Sequence, residues 1–237
     1  RAANSVRFGR PGKSFTLREG ITRLGMRTLR QIILEQQTMG MFANAGTAFD
    51  LQRGALWRSA VGGALAAELL AKRARFGEGD VCFVCSLLRD VGKLAFDARF
   101  RGDYLRQVTP HIRPDRTFLE AERTAFGFDH AQLGAELARR WKLPDRIVSA
   151  IAFHHDPPSN PDAHDTLYDI VHASDIITLW AGLAVGVDGL QYRLAEHVRT
   201  GLDLELHTAE QLIAEIWTGV REAESMVGGA RITGVAV

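Results

Sequence analysis

Helix start signals recur along this sequence, whereas strand signals are scarce. In a capping box, Ser, Thr or Asp stands three residues before Glu or Gln, and the two side chains satisfy free backbone N–H groups at the start of a helix. Four segments have this form: Thr16-x-x-Glu19, Thr117-x-x-Glu120, Asp129-x-x-Gln132 and Thr208-x-x-Gln211. The apolar residues between them follow helical spacing, and no stretch sustains the period-two alternation of a half-buried strand. The sequence therefore predicts an all-α fold.

Glycines and apolar spacing predict where the helices end. Gly25, Gly92 and Gly127 follow apolar helical runs, and we expect each to be a left-handed residue at a helix C-terminus. The segment 97–116 combines two prolines with five arginines and three aspartates, which predicts a solvated loop. The predicted helices cover residues 17–24, 26–44, 54–75, 81–91, 117–126, 130–141, 144–155, 164–182 and 209–226.

The length of the chain sets its domain organisation. A chain of 237 residues can form one large domain or two small ones. We expect residues 1–50 to form a smaller helical region and residues 51–237 to form a helical bundle with a C-terminal helix. The glycine-containing stretch 44–54 is the expected hinge. The chain begins at Arg1 rather than at methionine, so we expect an internal start.

The charge balance and the hydropathy of the sequence limit the kinds of binding partner that we expect. The 29 Lys and Arg residues nearly balance the 28 Asp and Glu residues, so electrostatics favours neither nucleic acid nor an anionic membrane. The longest apolar run, 179–187, is far shorter than the roughly 20 residues of a membrane span. Two cysteines do not make a disulfide framework, which favours a cytoplasmic location.

Five acidic and histidine residues lie near helix ends or on apolar helix faces: Asp90, His130, His154, His155 and Asp175. Asp175 lies within the apolar segment "IVHASDIIT", where an ionised carboxylate requires a cation, a donor network or a metal. Each histidine taken alone is equally well explained as a helix cap or a surface residue. Because the five come from different predicted helices, their spacing indicates only a candidate polar cluster.

Cys82 and Cys85 have the spacing of a zinc-binding or redox pair. No second pair and no histidine stands at a finger-like distance from them. They lie within the apolar segment "VCFVCSLL", where small buried thiols pack well. We therefore expect them to be core residues.

Several motifs together resemble the HDOD family, the HD-related output domains of bacterial signalling proteins. They occur in the family's order and span nearly the whole chain: "ANSVRFG", "ITRLGMRTLRQIIL", "LWRSAVGGALAAELLA", "SLLRDVGKL", "FGFDHAQLGAELARRWKLPDRIVSAIAFHHDP" and "IVHASDIIT". The resemblance implies an HD-like helical bundle preceded by a smaller helical region, which would be truncated here because the first motif begins at residue 2. It also implies a regulatory role rather than turnover.

The resemblance extends to the metal-binding positions of the catalytic HD relatives. In those relatives, metal ions lie between a first histidine, a His-Asp doublet, later histidines and a final aspartate. The doublet aligns with Arg89 and Asp90 here, and the first histidine aligns with Ser59, so two ligand positions are lost. The other aligned positions are Lys93, which follows the doublet, then His130, His154 and His155, and finally Asp175.

Arg89 is the most informative of these differences. A guanidinium offers hydrogen-bond donors only and keeps its charge at working pH, so it cannot act as a metal ligand. Our hypothesis is that Arg89 replaces the metal as the local cation and pairs with Asp90 or Asp175. We therefore expect a vestigial site with no catalytic residue, no metal and no cofactor.

Three functions are compatible with these residues. The favoured one is a non-catalytic signalling output domain that binds a protein partner. The second is a metal-dependent phosphohydrolase or phosphodiesterase acting on a nucleotide or cyclic dinucleotide, with the remaining acids and histidines as ligands and Lys93 on phosphate. In the third, Arg89 and Lys93 bind a phosphorylated nucleotide second messenger without chemistry; internal ion pairing is the favoured role of these two cations.

Overall fold

The structure is a computed structural model that describes residues 47–52, 54–100, 102–157, 165–183, 185–188 and 192–232, with side chains to residue 225. These ranges contain helices and no strand, so the predicted all-α fold is confirmed for them. Among the described residues, no helix has the length and apolar character that crossing a membrane requires. The helices are α1 Ala55–Arg73, α2 Gly79–Leu88, α3 Val91–Phe100, α4 Tyr104–Val108, α5 Phe118–Phe126, α6 His130–Arg140, α7 Asp145–Phe153, α8 Thr166–Trp180, α9 Glu196–Gly201 and α10 Leu206–Ile232.

Helix α1 is the centre of the bundle and packs against α2, α8 and α10. Its segment "AVGGALAA" is built from small residues, which lets neighbouring helices approach closely. A side chain at Gly62 would lie 2.4 Å from a methyl carbon of Leu183. Helix α3 packs against α6, and α6 packs against α7. This arrangement brings the α2–α3 junction, the start of α6 and the end of α7 to one region of the bundle.

Two of the four predicted capping boxes are present. Thr117 and Asp129 each accept a hydrogen bond from the backbone three residues on, and Glu120 and Gln132 return one. The prediction of a capping box at Thr208 is wrong, because α10 begins earlier, at Leu206. The buried Thr208 hydroxyl accepts a hydrogen bond from Arg73 instead. The box at Thr16 lies outside the described residues.

The predicted glycine caps have different outcomes. Gly127 ends α5 with a left-handed φ of 84°, as predicted. The prediction for Gly92 is wrong, because Gly92 is the second residue of α3. A Cβ atom there would lie 1.9 Å from the backbone oxygen of His130, so glycine is needed for the close approach of α3 and α6. Gly25 lies outside the described residues.

The predicted loop at 97–116 is largely wrong. Residues 97–100 complete α3, Tyr104–Val108 forms α4, and a 3₁₀ turn covers Thr109–His111. The charged residues of this segment favoured a loop prediction, although some of its apolar residues stand at helical spacing. Tyr104 and Val108, four residues apart, are fully buried. The short α9 was also not predicted, and the predicted helices 17–24 and 26–44 lie outside the described residues.

The predicted boundary near residue 50 stays a prediction, because residues 1–46 lie outside the described part of the chain. Residues 47–49 form a 3₁₀ turn that packs against α3, and Phe49 is fully buried in the bundle core. The Ala48 amide donates to Asp97 Oδ1 at 2.8 Å, and the Val187 amide donates to the Phe49 carbonyl at 2.9 Å. The last residues before the predicted boundary are therefore part of the bundle.

Candidate functional site

All eight residues singled out from the sequence lie in contact within one buried cluster. Ser59 is on α1, Arg89 and Asp90 form the α2–α3 junction, and Lys93 follows in α3. The cluster is completed by His130 at the start of α6, His154 and His155 just after α7, and Asp175 in α8. We call these eight residues the buried cluster.

Arg89 is the largest polar side chain of the buried cluster and is fully buried. Its Nε atom donates to Asp175 Oδ1 at 2.7 Å and lies 3.4 Å from Asp90 Oδ2. Arg89 thus contacts both carboxylates, where the sequence analysis expected a pairing with Asp90 or Asp175. Burial would lower the pKa of Arg89, but the Asp175 and Asp90 carboxylates outweigh it and raise the pKa.

The remaining Arg89 donors meet oxygen atoms of α1, α2 and α8. Nη2 donates to Ser59 Oγ at 2.7 Å and to Thr178 Oγ1 at 3.2 Å, and Nη1 donates to the Ser86 carbonyl at 2.8 Å. A Cβ atom at Gly63 would lie 2.2 Å from Nη1. Gly63 thus leaves room for the guanidinium, and the Ser59 hydroxyl accepts its hydrogen bond.

Lys93 is the second buried cation. Its Nζ atom donates to Asp188 Oδ2 at 2.8 Å and lies 3.1 Å from Asp90 Oδ1. Burial opposes a charge on Lys93, but Asp188 and Asp90 raise its pKa. Burial alone would raise the pKa of Asp90, but Lys93 and Arg89 hold it well below its usual range. The central carboxylate is therefore ionised.

A hydrogen-bond chain orients the His130 ring. Glu122, fully buried on α5, accepts from the Tyr104 hydroxyl and from the backbone amide of His130 at 2.9 Å. Its Oε2 atom lies 2.6 Å from His130 Nδ1. Burial would lower the pKa of His130, but the Glu122 carboxylate raises it. The Nε2 atom of the ring is left facing the buried cluster.

The two consecutive histidines after α7 face the same centre. His154 Nδ1 lies 2.7 Å from the Ile151 carbonyl, and burial lowers the pKa of His154 to about 4. His155 stacks on Tyr192 with ring centroids 3.8 Å apart, and its Nδ1 lies 3.3 Å from Asp175 Oδ2. Burial lowers the pKa of His155 well below its ordinary value. Burial therefore favours the neutral form of both rings.

The residues of the cluster fit one metal ion rather than two. Asp90, His130, His154 and His155 each offer a ligand atom, and these four atoms all lie within 4.8 Å of one another. Asp90 Oδ1 and His154 Nε2 are buried and make no hydrogen bond. On the other side of Asp90, the guanidinium of Arg89 binds Asp175. Ser59 has a hydroxyl there, bonded to Arg89, and no imidazole that could bind a metal. That side of the cluster presents hydrogen-bond donors and a positive charge, so it does not fit a metal ion.

Glu122, Tyr104, Asp188 and Tyr192 contact the cluster and were missed in the sequence. Glu122 carried a usable signal, because it follows the buried Phe118 by four residues and so shares its apolar helix face. Asp188 and Tyr192 lie in non-helical segments between α8 and α9, where no periodicity marks a buried residue. Cys82 and Cys85 are free thiols in the apolar core, as predicted, and burial raises the pKa of Cys82 to about 12.

A surface cavity of about 600 Å³ reaches the cluster at His155 and Tyr192. Its rim carries Arg116, Arg123 and Arg193 together with acidic residues. The His155 side chain is only 3% exposed, so the cavity ends against this ring rather than opening into the cluster.

Known proteins share this fold. An HDOD domain protein of unknown function from Geobacter sulfurreducens superposes with a TM-score of 0.61 at 26% identity, over 94% of this chain and 78% of that chain. A candidate signal transduction protein from Marinobacter aquaeolei VT8 shares the fold with a TM-score of 0.63 at 18% identity, over 96% of this chain and 50% of that chain. An uncharacterized protein of Treponema pallidum (strain Nichols) is 24% identical over 223 residues, which are 89% of this chain. This chain spans 40% of that relative's length.

The family assignment rests on the sequence as a whole. The family model of the HDOD domain matches residues 1–157, well over half of the 237 residues. The matched region includes Ser59, Arg89, Asp90, His130 and the His154–His155 pair. The motifs quoted from the sequence and the helical fold agree with this match. This chain belongs to the HDOD domain family.

Proposed function

We propose that this chain is a non-catalytic output domain of a signalling protein and acts through contact with a protein partner. The observation that carries the proposal is Arg89, a fully buried guanidinium with hydrogen bonds to oxygen atoms of α1, α2 and α8. It stands where a catalytic HD relative would supply a metal ligand. The family assignment supports a signalling role, and Arg89 supports a role without turnover.

The electrostatics of Arg89 oppose the two-ion centre of the catalytic relatives. At about 4 Å and an effective dielectric constant of about 20, two unit positive charges repel by roughly 4 kcal/mol. A divalent ion beside the guanidinium would feel about twice that repulsion. Metal centres that activate water also need an open coordination position next to the substrate. Arg89 and Ser59 fill that side of the cluster with hydrogen-bonded protein atoms.

A metal-dependent phosphohydrolase or phosphodiesterase acting on a nucleotide or cyclic dinucleotide is the second candidate. The group of four potential ligands favours it. Its proposed phosphate-binding residue counts against it, because Lys93 is buried and already bound to two carboxylates. The same burial and pairing of Arg89 and Lys93 count against their binding a phosphorylated second messenger.

We expect no hydrolysis of cyclic dinucleotides or nucleoside triphosphates by the purified chain loaded with Mn²⁺, Fe²⁺ or Zn²⁺. The measurement is product formation by chromatography over a long incubation. Asp90→Asn is the matched control, because it removes the central carboxylate charge while keeping the shape of the side chain. Equal amounts of product from both proteins would mean that the product does not come from this site. Turnover by the wild-type chain that is lost in Asp90→Asn, with unchanged circular dichroism, would support the second candidate and overturn the proposal.

We also expect a protein partner captured from the host cell to bind wild-type chain and Asp90→Asn equally. Contact through the folded surface does not use the chemistry of the cluster, whereas an enzyme would need its central carboxylate. Affinity capture followed by a binding measurement with the purified partner provides the comparison. A partner whose affinity falls more than tenfold on Asp90→Asn, with the fold intact, would contradict this expectation.

A further inference from the structure

We propose that residues 47–52 form a strap that opens and closes together with the segment 185–188 and links the first 46 residues of the chain to the bundle. The strap lies in the stretch 44–54, which the sequence predicts as a hinge. This inference goes beyond the proposed function, because it concerns movement within the chain and holds with or without turnover.

Phe49 holds the strap in place. Its side chain is fully buried, and its ring centroid lies 4.4 Å from that of Tyr104 and 6.4 Å from that of Phe96. Lys93 Nζ lies 5.5 Å from the same centroid, within the range at which a cation is attracted to an aromatic face. Withdrawal of the ring would expose its apolar surface to water, which is unfavourable. The ring therefore fixes the closed position of the strap.

Hydrogen bonds join the strap to two other parts of the bundle. The Ala48 amide donates to Asp97 Oδ1 of α3 at 2.8 Å, and the Val187 amide donates to the Phe49 carbonyl at 2.9 Å. A Cβ atom at Gly186 would lie 2.4 Å from the Phe49 carbonyl oxygen. The backbone next to Val187 thus lies directly against the strap, so neither can move far without the other.

A third contact completes the set. Lys93 Nζ, also on α3, donates to Asp188 Oδ2 at 2.8 Å. The strap therefore contacts α3, the segment 185–188 contacts the strap, and the same segment contacts α3. Because each contact holds the groups of the other two in place, the loss of one weakens the others. Contiguous contacts of this kind open as one cooperative unit.

The backbone of the strap is suited to local opening. Residues 47–49 form a single 3₁₀ turn, and Asp50 and Gly54 have left-handed φ values of 55° and 79°. A non-glycine residue keeps that conformation only where its surroundings impose it. Short turns with few hydrogen bonds open at a lower free energy than the helices of a core. The strap can therefore leave its closed position while α1 stays folded.

The strap also forms one wall of a surface cavity of about 400 Å³. Leu51 and Gln52 line this cavity from the strap, and Leu183 and Val185 line it from the connection after α8. Opening of the strap would remove part of that wall. Because residue 46 is bonded directly to Thr47, a movement of the first part of the chain would change the shape of this surface.

The test is amide hydrogen exchange of the full chain, followed by NMR spectroscopy. We expect the Ala48 and Val187 amides to have protection factors that agree within about threefold, because one opening exposes both. Both protection factors should be at least about tenfold lower than those of the central amides of α1, which open only on global unfolding. Equal protection of all three regions would overturn the proposal.

Two variants test the coupling from opposite ends. Gly186→Ala pushes a Cβ atom against the Phe49 carbonyl and is expected to lower the protection of the Ala48 amide at least about tenfold. Asp97→Ala removes the acceptor of the Ala48 amide and is expected to lower the protection of the Val187 amide by a similar factor. Asp97→Asn keeps an acceptor oxygen and should retain most of that protection. If Gly186→Ala does not fold, the comparison of the two Asp97 variants decides the coupling.

Ile170→Val is the control for a general loss of stability. Ile170 is fully buried near the start of α8, whose other end leads to the segment 185–188. Removal of one methylene group from the core lowers global stability, so it should lower the protection of α1 and leave the Ala48 and Val187 amides unchanged. A Val187 amide that is unaffected by Asp97→Ala would mean that the strap and the segment open independently, which contradicts the proposal.

A label at residue 46 tests the link to the first part of the chain. Gly46→Cys is labelled with a short biotin maleimide, to which streptavidin, a large protein, is then bound. Cys82 and Cys85 are fully buried and should not react. We expect streptavidin to speed exchange in the peptide that contains Val187 at least about tenfold, measured by mass spectrometry. The same label on Gly77→Cys, an exposed position, should have no effect there. Unchanged exchange with both labels would overturn the proposed link.

Discussion

Arg89→Ala is expected to lower the free energy of unfolding by about 3–5 kcal/mol, the usual cost of removing one partner of a buried ion pair. The substitution leaves the Asp175 carboxylate, 4% exposed, without its cation. It also leaves the Ser86 carbonyl and the Ser59 hydroxyl without a donor and opens a cavity beside Gly63. Urea unfolding followed by circular dichroism measures the change.

The matched control is Arg199→Ala. Arg199 also binds two carboxylates, those of Glu196 and Glu205, but on the surface, where such pairs contribute about 1 kcal/mol or less. The double variant Arg89→Ala/Asp175→Asn is expected to lose less stability than the sum of the single variants, because both partners are then neutral. A loss under about 1 kcal/mol for Arg89→Ala would mean that the guanidinium is not the cation that this cluster needs.

Gly92→Ala is expected to lower the free energy of unfolding by about 3 kcal/mol, the upper end of the usual cost of overpacking. The added Cβ would lie 1.9 Å from the His130 carbonyl oxygen and 2.8 Å from the Gly134 amide nitrogen. Both are backbone atoms, so no side-chain rotation relieves the overlap, and α3 and α6 must separate. The same movement would pull His130 away from Asp90. Thermal and urea unfolding measure the loss.

Gly77→Ala is the control for Gly92→Ala. Gly77 is exposed, and an added Cβ there meets no atom within 4 Å. Its change in unfolding free energy should stay within about 0.5 kcal/mol of zero, as for most surface substitutions. If the two alanine variants have equal stability, the close approach of α3 and α6 is not a constraint on this fold.

The local signals in the sequence predicted helices better than they predicted the site. Capping boxes at Thr117 and Asp129 are local, so they could be read without knowing the fold. The region after Asp97 was assigned to a loop because its charges outnumber its apolar residues. Tyr104 and Val108, four residues apart in this region, are fully buried in the bundle.

The buried cluster could not be assembled from spacing, because its residues come from separate helices and from the turns between them. Placement near helix ends and on apolar faces indicated the five acids and histidines. The resemblance to a known family added Ser59, Arg89 and Lys93 and implied one site, and the chemistry of Arg89 predicted that it would bind a carboxylate. Neither route indicated Glu122 or Asp188, since a charged residue in a short amphipathic helix or a loop is usually solvated. Their burial is explained by side-chain contacts that only the fold creates, between Glu122 and His130 and between Asp188 and Lys93.

The hydrogen bond between Arg89 and Ser59 makes this cluster difficult to reverse by single mutations. Arg89 Nη2 lies 2.7 Å from Ser59 Oγ, so Ser59→His alone would drive an imidazole into the guanidinium. Arg89→His alone would remove the permanent positive charge beside Asp175. Either intermediate loses a large part of the roughly 5–15 kcal/mol by which domains are stable. Arg89 and Ser59 therefore constrain each other: histidine could enter either position without a large loss of stability only if both residues changed together.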